Sequence, residues 1–245
     1  MEESNQPPEF SPSGQPIYHY KEPKKPFTPA FGEPEHIKAL SDHIEKHIGN
    51  PSRVFHELIS DLVHLDVHIV PPTTTRNFYT LVTSGMSARA MKAPVGAEDW
   101  AYAELLICLP PDWPLQDENF KDEINYWPIR LLKILARFPH QYDTWLSVFH
   151  SIPFGNPPTS IAANVPFTGA MLTPPRLAPE EFWRFRIHPE LTINFLAVVP
   201  LYTEEINFKL TNSGNELFDR FEKEHITELV DVRRKNVAKK RFGLF

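Results

Sequence analysis

Tyr79-Thr80-Leu81-Val82-Thr83-Ser84-Gly85-Met86-Ser87 decides how the rest of this chain reads. Six residues of high β-propensity or small size alternate and run straight into a glycine. A glycine at the end of such a run marks a place where the backbone takes a conformation closed to other residues. The flanking serines invite a nucleophile reading. A nucleophile elbow, however, needs a glycine two positions before its serine to permit the sharp turn, and no glycine precedes Ser84. The stretch is predicted to be a strand and the corner that ends it.

Outward from it, Arg53–Leu58, Leu62–Val70 and Phe78–Ser84 read as successive strands, with Pro71 and Pro72 ending the second. Trp100–Leu109 is more continuously apolar and is expected to be central. Trp145–His150, Thr168–Thr173 and Thr192–Val199 complete the strands. Ile37, Leu40, Ile44 and Ile48 recur at helical spacing, stopped by Gly49 and Pro51. Trp127 to Phe138 reads as a second helix, with Pro128 in its first turn and Pro139 beyond its end. Thr203 is placed to cap a third, whose first turn carries Glu204 and Glu205, and Leu217, Phe218 and Phe221 suggest a last. No repeat of 20–50 residues appears. Interspersed strands and helices without β-α alternation predict an α+β fold on a mixed sheet.

Composition is that of a globular domain, with 26 prolines against nine glycines. Many stiff corners and few flexible ones suit long, ordered loops. Residues 1–34 hold eight of the prolines, including the overlapping P-x-x-P steps of Pro23-Lys24-Lys25-Pro26-Phe27-Thr28-Pro29. Too little apolar surface is available there to offset ordering entropy, so a disordered tail is expected. Residues 233–241 carry six basic side chains and no acid, so the rest of the chain bears −12 against a total of −6. An acidic body with a short basic tail over 233–245 does not match a nucleic-acid reader's broad basic face. The single cysteine, Cys108, lies in an apolar run and excludes an internal disulfide. No signal-peptide pattern or long apolar run is seen, and a reducing cytoplasm is the expected compartment.

The Tyr79–Ser87 stretch, set beside His64-Leu65-Asp66-Val67-His68-Ile69-Val70-Pro71-Pro72 and Phe195-Leu196-Ala197-Val198-Val199-Pro200-Leu201-Tyr202-Thr203-Glu204-Glu205, resembles the suppressor-of-fused domain family. Tyr102–Trp113, the helix from Trp127-Pro128 to Phe138, the segment ending His150-Ser151 and Gly169-Ala170-Met171-Leu172-Thr173 are similar in character and order. The resemblance covers about residues 35–232. It implies a mixed, mainly antiparallel sheet with flanking helices, the N-terminal lobe of the family's founding member. It also implies a non-enzymatic protein-binding module. In the founding member a peptide from a transcription factor is clamped as an added strand, and single-lobe bacterial relatives are associated with neutralising toxins. The equivalent region here gives partner-contacting candidates Trp145, His150, Phe154, Met171 and Thr173.

Other chemistry finds less support. His64, Asp66 and His68 alternate onto one face, but His64 and His68 would stand about 13 Å apart on a strand, too far to share one ion directly. That face is expected to be polar and turned to solvent or a partner, with His56 completing a metal site only if the strand register allows. His43 and His47 form an i, i+4 pair without the H-E-x-x-H acid. No phosphate-cradling glycine loop is present, and the paired acids Glu98-Asp99, Asp117-Glu118 and Glu180-Glu181 sit beside turns. No metal or cofactor is expected. The loop 151–166 bears an exposed-looking Phe154 and suits a binding rim. A protein or peptide partner, such as a toxin domain met by an immunity-type inhibitor, is the leading expectation. A metal-dependent hydrolase using the His64/Asp66/His68 strand, or a protein binding transcription regulators, remains as an alternative.

Overall fold

A computed structural model describes residues 9–21, 33–56 and 62–239. In chain order its elements are β1 (Glu9–Phe10), β2 (Pro16–Ile17), α1 (Pro34–His47), β3 (Arg53–Phe55), β4 (Asp66–Val70), β5 (Tyr79–Ser84), β6 (Ala103–Leu109), α2 (Glu123–Gln141), β7 (Ser151–Pro153), β8 (Gly169–Thr173), β9 (Arg184–His188), β10 (Leu191–Leu201), α3 (Thr203–Thr211) and α4 (Gly214–Lys223). β1 and β2 pair with each other, and the other eight strands form one sheet in the order β3-β4-β5-β6-β10-β8-β7, with β9 also paired to β10. β6 and β10 run parallel, and every other pair is antiparallel. The fold is α+β on a mixed, mainly antiparallel sheet, as expected.

β6 is buried over its whole length because both faces are covered. Leu105, Ile107 and Leu109 face α2, packing with Trp127, Leu131, Leu132 and Leu135. Leu106 and Cys108 face the other way, toward Leu40 and Ile44 of α1 and the rings of Phe182 and Phe195. A third cluster lies where α3 and α4 cover Met171, Val199 and Leu201. Each fully buried leucine here contributes about 1.5–3 kcal/mol through apolar surface removed from water.

α2 begins earlier and ends later than the sequence suggested. The Asp122 carboxylate accepts from the Ile124 N–H at 3.1 Å and caps it, so Pro128 and Pro139 both lie inside the helix. Each proline removes one backbone bond, and ten buried residues on this helix offset the loss. At α3 the N-cap is Tyr202 rather than Thr203, and the Glu205 carboxylate reaches back to the Tyr202 N–H at 3.1 Å.

Two expected tails are partly built into the body. Residues 9–21 were expected to be disordered, yet the Ser13 N–H donates to the Leu210 carbonyl at 3.1 Å, and the Tyr20 hydroxyl lies 2.7 Å from Thr144 Oγ1. The Tyr20 ring also meets Phe138 edge-on at 5.3 Å. The P-x-x-P steps of Pro23–Pro29 fall in residues 22–32, outside the described residues. At the other end Arg234, read as part of a basic tail, is half-buried, with its side chain tucked into the body. It pairs with Glu205 at 2.5 Å, the side chains being 7% and 0% exposed, and also donates to the Pro200 carbonyl at 2.7 Å. Its guanidinium lies over the Tyr202 ring at 4.8 Å.

Candidate functional site

The decisive corner turns out to be organised by an acid. Glu104, on β6, is fully buried, and its carboxylate accepts from Thr83 Oγ1 at 2.6 Å, the Gly85 N–H at 2.8 Å, the Ser87 N–H at 3.0 Å and Ser87 Oγ at 2.6 Å. Burial raises its pKa, while the bonds from Ser87, Thr83 and Gly85 pull it down. Gly85 sits at φ +117°, and a Cβ there would stand 1.8 Å from the His64 carbonyl oxygen. The Ser87 hydroxyl gives its proton to Glu104, so the His36 Nε2 2.9 Å away acts as donor to it. Ser84 and Ser87 are both 1% exposed, so no substrate reaches them. This constellation holds two strands and a turn together.

The histidine face is also turned inward. Asp66 and His68 are each 2% exposed, against the expectation of a solvent-facing or partner-facing strand, because β4 is flanked by β3 and β5 and covered on both faces. His68 Nε2 hydrogen-bonds with Ser84 Oγ at 2.9 Å, and burial lowers its pKa and keeps it neutral. His64 precedes β4, its Nε2 3.5 Å from Asp66 Oδ1, and His56 Nδ1 lies 3.1 Å from the same oxygen. Among the described residues no three His, Cys, Asp or Glu side chains are grouped to hold a metal ion. His43 is a core residue, its ring stacked on Phe182, Phe185 and Phe195 with centroids 4.3–5.3 Å away. Cys108 is buried, and burial raises its thiol pKa well above the ordinary value.

What the sheet does offer is an end. The segment Trp145–His150, expected to be a strand, is a loop in which Phe149 takes φ +64°, and the strand starts at Ser151. The His150 carbonyl accepts from the Leu172 N–H at 2.9 Å, and the Phe154 N–H donates to the Thr168 carbonyl at 2.8 Å. Antiparallel ladders alternate inward and outward groups, so Ser151 directs its N–H and C=O, and Pro153 its C=O, away from β8. Proline suits such a place because it has no N–H to leave unpaired. Close packing behind the edge is permitted by Gly169, where a Cβ would stand 2.6 Å from Ile206 Cδ1 and 2.9 Å from the Ile152 carbonyl oxygen.

The five sequence-predicted residues gather around this edge in different roles. His150 and Trp145 meet edge to face, centroids 4.7 Å apart, and both are half-buried. Burial lowers the His150 pKa to about 4, with the Lys209 charge lowering it further and the backbone bond at Trp145 acting against both. Phe154 is half-buried against the main core rather than exposed. Met171 and Thr173 are buried on β8, one strand in from the end. Sequence reading missed Ser151 and Lys209: Lys209 Nζ, on α3, donates to Ser151 Oγ at 2.9 Å. Beyond the Thr173 end of β8, a cleft of about 170 Å³ opens between Trp100, Trp183, Pro174, Pro175 and Phe195.

The fold is a mixed sheet packed against helices, with the short strands β3 and β7 at its two ends. The family profile described as Suppressor of fused protein (SUFU) matches residues 61–235, and the chain belongs to that family. A crystal structure of a protein from Neisseria gonorrhoeae FA 1090, described as a suppressor of fused homolog, superposes with a TM-score of 0.61 at 16% identity, covering 84% of this chain and 98% of that one. The structure of the Sufu-Fu complex gives a TM-score of 0.58 at 16% identity over 82% of this chain and 92% of that one. Drosophila Suppressor of Fused gives 0.59 at 15% identity, over 84% of this chain but 54% of that longer one. No curated protein matches the sequence. The chain is a suppressor-of-fused-type module, and among its described residues no helix is long and apolar enough to cross a membrane.

Proposed function

We propose that this protein acts by holding a segment of a protein partner as an added strand on the β7 edge, and that it performs no chemistry of its own. The carrying observation is the set of outward backbone groups on Ser151 and Pro153 of β7, one of the two strands that end the sheet, β3 being the other. Exposed strand edges are templates for such pairing. Trp145, His150 and Phe154 flank the edge, and Met171 and Thr173 back it from β8. The partner class we infer is a toxin domain, with the chain as a cytoplasmic immunity-type inhibitor and residues 35–232 as the working domain. Support for this comes from the family membership and from the association of single-lobe relatives with toxin neutralisation. That one relative has been solved as a Sufu-Fu complex supports a protein partner more generally.

Hydrogen exchange on the chain with its partner tests the edge. The outward-facing Ser151 amide should exchange rapidly in the unbound protein and become protected in the complex. Protection confined to β3 and β4, with Ser151 still exchanging, would overturn the reading. Growth rescue on co-expression with a toxin domain encoded beside this gene tests the inhibitor role separately.

A further inference from the structure

Lys209 is a half-buried cation with an incomplete set of partners. Its Nζ donates to the neutral Ser151 hydroxyl at 2.9 Å, and among the described residues no carboxylate oxygen lies within 4.0 Å of it. Desolvation lowers its pKa to about 8, so at neutral pH it still carries its charge. His150 offers no compensation: with a pKa near 4 it is neutral, and it donates or accepts without balancing charge. A half-buried cation held only by a hydroxyl is a costly arrangement unless something charged completes it.

Its position says where that completion would come from. Ser151 stands opposite Met171, whose side chain packs with Val199, Leu201 and Ile206 beneath α3 and α4. Ser151 therefore points to the α3 face, where Lys209 meets it. A residue directly opposite Ser151 on a strand added at β7 would share that face, its Cβ about 5 Å from that of Ser151. That distance places a carboxylate of ordinary length against Lys209 Nζ. The outward N–H and C=O of Ser151 fix the register of the same residue.

We propose that Lys209 and Ser151 form a carboxylate subsite, reading an aspartate or glutamate of the partner strand at the position opposite Ser151. The inference rests on edge addition at β7 and adds the chemistry of one partner position. An N⁺–H···O⁻ bond formed on a partly desolvated site strengthens binding about tenfold or more relative to the amide isostere.

The test is panning a displayed random heptapeptide library against the full chain at pH 7. Recovered peptides are then resynthesised, and hydrogen exchange reports whether they protect the Ser151 amide. The expected result is one fixed acidic position among peptides that protect Ser151, at which Glu→Gln weakens binding tenfold or more. That loss should shrink to less than twofold on K209M. The Glu→Gln comparison on the unmodified protein stands even if K209M folds poorly. Peptides that protect Ser151 but bind equally with Glu or Gln, or whose preference persists in K209M, overturn the carboxylate subsite and leave edge addition standing. Failure to recover any peptide that protects Ser151 removes edge addition and the subsite together.

Discussion

Glu104 and Lys209 are both ionisable groups drawn into the protein, and they differ in how completely they are answered. Glu104 receives four hydrogen bonds from three residues of one corner, whereas Lys209 has a single hydroxyl. The first is a finished structure that ties β5 to β6. The second, on α3, reaches the β7 edge and meets only the Ser151 hydroxyl there. Buried charge that is fully bonded holds a fold, and charge left partly bonded at an edge holds a place for something else.

The contrast fixes the sign of several measurements. Glu104→Ala orphans four donors in a dry corner, each worth about 1–3 kcal/mol when left unpaired, so a loss of at least about 4 kcal/mol is expected in denaturant titration. A loss under about 1 kcal/mol would dissolve the comparison. Arg234→Ala strands the Glu205 carboxylate and is expected to cost about 3–5 kcal/mol by the same measurement. Gly85→Ala must displace the His64 carbonyl and hold an L-residue at positive φ, with an expected loss of about 2–3 kcal/mol.

Lys209→Met should go the other way, raising stability at pH 7 by about 1 kcal/mol while weakening recognition. Because the folded-state pKa of Lys209 lies near 8, below its ordinary 10.5, the unfolded chain binds more protons between those values. Wild-type stability should therefore rise relative to Lys209→Met as pH increases from about 8 to 10.5, and run parallel to it below 8. His150 supplies a smaller effect of related sign. Its folded-state pKa of about 4 lies below 6.5, so acidification from 6.5 toward 4 should destabilise the wild type more than His150→Asn, by about 1–2 kcal/mol. Parallel curves for either pair would show that the side chain is freely solvated.

What the sequence revealed follows the range of the forces involved. The Tyr79–Ser84 strand and its glycine were readable because period-two alternation and backbone conformation are local properties. The central position of β6 was readable from its more continuously apolar run. β9 escaped notice because Arg184, Arg186 and His188 occupy its exposed side, masking an alternation shared with Phe185 and Ile187. The edge strand was placed too early because Trp145, Leu146 and Val148 resemble a strand in composition, while Phe149 turns left-handed to pack near α4. Glu104 was not singled out, since its donors come from β5 and the corner beyond it, about 20 residues earlier in the chain. Lys209 and Ser151 are far apart in the chain, and only the docking of α3 on the sheet brings them together.

The parallel seam between β6 and β10 sets a timetable for folding. It joins Ala103 to Asn194 and Leu106 to Ala197, partners about 90 residues apart, whereas β3 to β6 are linked by short antiparallel connections. Closing so long a loop costs chain entropy before any contact rewards it. The β3–β6 meander is therefore the half that can assemble from nearby partners, and the β7–β10 half joins it in a later, slower step. Until that step the flank of β6 that β10 will occupy is bare backbone in the middle of a future core, an edge open to pairing with any other extended chain.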